Sequence, residues 1–163
     1  MRIIIDLQGC QSLGNSSRGI GRYSRSLIKA LIRNYSQDHF ILVANSLLKD
    51  IKAEFIDEIS QHNSNVSYLK WSGIGSSCFS DASNSIRFEL AKTIRSYCFS
   101  KLQADIILIT SFFDGHNDNS VLPIDFNYSL PSVFCIIHDL IPLINPKDYL
   151  DKNISYKNFY LKM

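Results

Sequence analysis

Cysteine is scarce and scattered in this chain of 163 residues: Cys10, Cys78, Cys98 and Cys135 form no CxxC pair. That spacing gives no thiolate metal site and fits a reducing, cytoplasmic compartment, with Cys135 expected to be buried inside an apolar run. Charge of one sign is also lacking. A formal net charge of +2 leaves no basic stripe of the kind that nucleic acid requires, so that partner is excluded. Long apolar runs are missing, and the stretch after Met1 is too short for a signal peptide, so the chain reads as soluble or, at most, peripheral at the inner membrane face. There is no Walker sequence, no GxSxG elbow and no HExxH pair.

What is present is a regular alternation. Short apolar runs at Ile3–Leu7, Phe40–Ala44, Val66–Leu69, Ile106–Ile109 and Val133–Ile137 read as strands covered on both faces. Between them lie segments of helical period, with Ile20, Tyr23, Leu27 and Leu31 marking one apolar stripe and Ile86, Leu90, Ile94 and Tyr97 another. This order predicts one α/β domain over residues 1–163, Rossmann-like, doubly wound and mostly parallel. Ligands of such sheets bind beyond the carboxyl ends of the strands. The segments there are Gln8–Arg18, Ser72–Ser83, Thr110–Ser120 and His138–Asp139; Gly73–Asn84, rich in Ser and Gly, is expected to be mobile. A final helical pattern carries Tyr156, Phe159, Tyr160 and Met163 and ends without a cap, which reads as a truncated piece.

Chemistry concentrates in two places. Arg18-Gly19-Ile20-Gly21-Arg22-Tyr23 follows the first strand and opens a helix, so its amides and the helix dipole suit an anion, with glycine permitting close approach. The same glycines could simply let a loop enter a helix. It is not a dinucleotide fingerprint, because Ser24 replaces the third glycine and Asn45, not an acid, follows strand two. That departure counts against a nicotinamide-dependent oxidoreductase. Arg18, Arg22, Arg25, Lys29 and Arg33 share one side of the helix, either as a solvated face or as an attraction for an anionic surface or lipid-linked acceptor.

The second place is the pair of loops carrying Asp114, Gly115 and His116, and His138-Asp139. A histidine at a strand's carboxyl end can bond a sugar hydroxyl or move a proton near neutral pH; it can equally be tied to a carbonyl or to Asp139. Asp139 could instead orient the loop before Pro142, and Asp114 and Gly115 could be plain turn residues. The set Asp114, His116, Asp118, His138 and Asp139 lacks the spacing of a metal centre, so no metal is expected.

Four pieces in order, Ile5-Asp6-Leu7-Gln8-Gly9, Arg18 to Tyr23, Thr110-Ser111-Phe112-Phe113-Asp114-Gly115, and His138-Asp139-Leu140-Ile141-Pro142-Leu143 with Tyr149-Leu150, span nearly the whole chain. Together they resemble the amino-terminal half of retaining, nucleotide-sugar-dependent GT-B glycosyltransferases (glycosyl transferases group 1), especially the bacterial mannosyltransferase-like enzymes of polysaccharide assembly. The resemblance implies an acceptor-side domain for a glycan or lipid-linked acceptor, with a nucleotide-sugar as co-substrate and no cofactor. It implies that Gly19, Gly21 and Arg22 approach the donor, that His138 contacts the transferred sugar with Asp139 supporting it, and that Asp114 and Gly115 line the cleft. The family's donor half carries an Arg/Lys pair and two glutamates separated by seven residues. Here the glutamates are Glu54, Glu58 and Glu89, so the carboxyl-terminal donor domain is absent from the sequence and the fragment is expected to be inactive alone. The alternative is a stand-alone carbohydrate- or protein-binding module, with self-association through the face left bare.

Overall fold

A computed structural model describes residues 1–122 and 128–163. The chain runs β1 (Arg2–Asp6), α1 (Gln8–Gln11), α2 (Gly19–Asn34), β2 (His39–Asn45), α3 (Ala53–His62), β3 (Val66–Trp71), a 3-10 turn (Ala82–Asn84), α4 (Ser85–Lys101), β4 (Ile106–Ile109), β5 (Ser132–Cys135), α5 (Ile141–Ile144), α6 (Pro146–Tyr149) and α7 (Ile154–Lys162). The strands form one sheet in the order β3-β2-β1-β4-β5, and every pair is parallel. Central β1 is apolar throughout its middle because it is covered twice, with Ile4 opposite both Ile41 and Ile107.

The two faces hold separate cores. Ile5, Leu42, Ile28, Ile32, Phe55 and Ile59 join α2 and α3 to one face. Ile4, Val43, Ile107, Ala91 and Phe99 join α4 to the other. After β3 the chain returns across the sheet, so the direction of winding reverses between β1 and β4. A crevice must open above their carboxyl ends.

The stripes expected on two helices are rotated. On α2 the buried residues are Gly21, Ser24, Ile28 and Ile32, and Tyr23 is exposed. Small residues win this face because a Cβ on Gly21 would lie 2.5 Å from the Asn15 carbonyl oxygen, and Ser24 Oγ donates to the Thr110 carbonyl at 3.3 Å. On α4 the buried set is Phe88, Ala91, Arg95, Ser96 and Phe99, whereas Ile86 is 74% exposed and Leu90 and Tyr97 also face out. Arg95 turns inward because Asp6 awaits it: Nη2 donates to Asp6 Oδ2 at 2.7 Å, and the guanidinium lies 4.8 Å over the Phe99 ring.

Cys135 is exposed, because β5 pairs only with β4 and, of its four residues, only Val133 packs against the core. Cys10 is the buried cysteine, and burial pushes its thiol up to about 12. The Gly73–Asn84 segment is anchored, contrary to expectation. Ser77 N donates to Asn119 Oδ1 at 2.9 Å, and Phe79 and Ser80 donate to the carbonyls of Gly115 and His116. Phe79 then meets Phe159 edge-on at 5.2 Å, which seats α7 over the same end of the sheet. No helix among the described residues is long and apolar enough to cross a membrane.

Candidate functional site

The rim begins with a buried amide network. Gln8, directly after β1, accepts from Asn45 Nδ2 at 3.1 Å and from Val121 N at 2.9 Å, and donates to Asp6 Oδ2 at 3.1 Å. Gln11 accepts from Asn45 N and donates to the carbonyls of Asn45 and Lys49. Amides suit this place because each both donates and accepts, so the strand ends are tied without a buried net charge. From the sequence Gln8 enters only as part of the Ile5–Gly9 piece and Asn45 only as the non-acid after strand two, while Gln11 is not singled out, since lone amides do not announce a network.

The loop after β4 is fixed next. Gly115 has a φ of +107°, and a Cβ there would lie 2.2 Å from the Ser120 carbonyl oxygen, so only glycine fits. Asp118 is wholly committed: Oδ2 accepts from Ser12 Oγ at 2.7 Å and Leu13 N at 2.9 Å, and Oδ1 from Ser120 N at 2.9 Å. Asp114 is different. It is 3% exposed; Oδ1 accepts from Asn15 Nδ2, while buried Oδ2 has no hydrogen-bond partner among the described residues. Burial raises its carboxyl to about 7, aided by Asp118 and Asp6 and opposed by hydrogen bonds from Ser111 and Asn15.

His138 stands just past β5, half-buried, with Nε2 3.0 Å from the Thr110 carbonyl oxygen. A carbonyl can only accept, so Nε2 carries the proton and Nδ1 of the neutral ring remains an acceptor. Tyr23 meets the ring edge-on at 5.5 Å. Asp139 Oδ1 accepts from Ile141 N at 3.1 Å and thereby starts α5, the turn role available to it from sequence.

Asn15, Ile20, Asp114, His138, Tyr156 and Tyr160 surround one cavity of about 290 Å3. Asn15, Asp114 and Tyr156 also line a second of about 290 Å3, which reaches Gly115 and His116. Tyr160 is stacked on Phe113 at 4.1 Å between centroids. His116 contacts Ser155 Oγ at 3.2 Å, and burial lowers its pKa.

Gly21 N donates to the Asn15 carbonyl, so Gly21 shapes the loop rather than offering its amide. The amides of Gly19 and Ile20, at the start of α2, have no acceptor among the described residues, and Gly19 has open space around it. Arg22 is exposed. Thus Ile20, Asp114, His138 and Asp139 line one cavity, with Gly19 beside Ile20, and Asp139 also starts α5. Asn15, Tyr156 and Tyr160 complete the cavity and went unrecognised as site residues, because nothing local in the sequence shows that α7 folds back. Among the described residues no group of three His, Cys, Asp or Glu could hold a metal ion.

The sheet order and its crevice define a Rossmann-like α/β domain. Over 99% of its length the chain is similar to the serotype-specific mannosyltransferase WbdA of Escherichia coli, at 29% identity. A second Escherichia coli protein of that name is 25% identical over 82% of the chain. The chain spans 19% and 16% of the lengths of these relatives. No family model matches, and no solved structure matches.

Proposed function

We infer that the chain is the acceptor-side, amino-terminal half of a GT-B glycosyltransferase that moves a hexose, specifically mannose, from a nucleotide-sugar to a growing polysaccharide or lipid-linked glycan with retention at the anomeric carbon. The observation that carries this reading is the cavity joining Asp114 and His138. It offers a hydroxyl acceptor at His138 Nδ1, a buried carboxyl at Asp114 and the rings of Tyr156 and Tyr160, a mixture suited to sugar hydroxyls and sugar faces. The similarity to a mannosyltransferase supports the sugar.

In this reading the open amides of Gly19 and Ile20, with the positive end of α2 behind them, face the donor diphosphate. Arg22 extends that positive edge. The Arg/Lys pair and spaced glutamates of the resembled donor half have no counterpart in these 163 residues, and transfer depends heavily on stabilising the charge that develops on the leaving diphosphate. The chain alone therefore binds acceptor and turns over nothing. The alternative, a stand-alone carbohydrate- or protein-binding module, draws on the exposed apolar residues Phe134, Ile137 and Ile144 beside β5.

Titrating isotope-labelled chain with a mannose trisaccharide tests the reading. Saturable shifts around Asp114 and His138, reduced about tenfold in affinity by His138→Ala, are expected, since a lost hydrogen bond to a sugar costs about 1–2 kcal/mol. No shift with the sugar, or transfer from radiolabelled nucleotide-sugar by the chain alone, refutes it.

A further inference from the structure

On the other side of the Ser12–Arg18 loop lies a cavity of about 370 Å3 that the proposed glycosyltransferase site does not use. Its charged lining is unbalanced. Arg25, Lys49 and Lys52 line it, and none has an acceptor among the described residues. Its one acid, Asp50, is already held by Lys70 at 2.7 Å. The neighbouring cation Lys29 is likewise engaged by Glu58 at 2.5 Å, so the surplus belongs to these three residues. Ser16 and Ser17 add hydroxyls whose side chains bond to nothing described.

Arg25 is half-buried and lines the cavity together with the buried Cys10. Three positive charges around one hollow repel one another, and no group among the described residues is paired with them. We propose that this cavity binds a phosphate group, either free or carried as a lipid headgroup. A planar guanidinium gives paired donors to phosphate oxygens, two ammonium groups balance its second charge, and the hydroxyls complete the donor set. A lone carboxylate would leave two cations unmatched.

The test uses the 163-residue chain at about 0.1 M salt, where exposed pairs are screened but enclosed ones persist. Calorimetry with inorganic pyrophosphate and sedimentation with phosphatidic acid vesicles, whose headgroup is a phosphomonoester, against phosphatidylcholine vesicles, form its two arms. Saturable binding in either arm is expected, weakened at least about tenfold by Arg25→Met and by the double change Lys49→Met with Lys52→Met, and unaffected by Lys147→Met outside the cavity. Binding to pyrophosphate assigns a soluble phosphate, and binding to anionic vesicles alone assigns a headgroup. The lysine pair is exposed, so its variant keeps the fold whatever Arg25→Met does. No binding in either arm, or binding that both variants retain, overturns the assignment.

Discussion

Replacing Asp114 by asparagine is expected to remove most of a pH-dependent loss of stability. The carboxyl is raised from 3.8 to about 7. In this window the folded chain keeps a proton that the unfolded chain has released, so the unfolded state binds fewer protons and stability falls as pH rises. Below pH 3.8 both states are protonated and the penalty is nil; above about 7 it is complete. At about 1.4 kcal/mol per unit the full effect is on the order of 4 kcal/mol, a large part of the roughly 5–15 kcal/mol that holds a domain folded. Asparagine preserves the acceptor for Asn15 and carries no charge. Urea unfolding of both chains at about pH 5 and about pH 8 should show the difference moving in favour of Asp114→Asn by a few kcal/mol at the higher pH. A difference constant to within about 0.5 kcal/mol would mean that Asp114 is not a buried acid, and the reasoning fails.

Two further outcomes rest on the frame of the site. Gly115→Ala meets both a positive φ and the Ser120 carbonyl, so a loss of about 2–4 kcal/mol in chemical denaturation is expected, and a loss below about 0.5 kcal/mol would contradict the turn geometry. Arg95→Met alone strands a buried Asp6 carboxylate and should cost about 3–5 kcal/mol. Adding Asp6→Leu should recover much of it, and calorimetric melting of both variants checks the coupling.

Much of the sheet was legible because central strands leave an unmistakable apolar run, as at Ile3–Leu7 and Ile106–Ile109. Helix orientation was not, because hydrophobicity alone picks Ile20, Tyr23 and Leu27 over the smaller Gly21 and Ser24 that fit against Asn15 and Thr110. On α4 an inward arginine disguises the buried face, since its worth depends on Asp6, 89 residues away. The rim positions of Asp114 and His138 follow from where strands end. The contributions of Asn15, Tyr156 and Tyr160 depend on loops and a returning helix, which no spacing encodes.

Gln8 is a shared rivet: one side chain touches main chain or side chain from β1, from Asn45 at the end of β2, and from Val121 beyond β4. Three segments that meet through a single amide cannot drift in shape independently over evolutionary time. Transplanting the Thr110–Val121 segment from a relative must therefore bring along matching partners at positions 8, 12 and 45, or the graft will lose its seat before it can change what the rim binds.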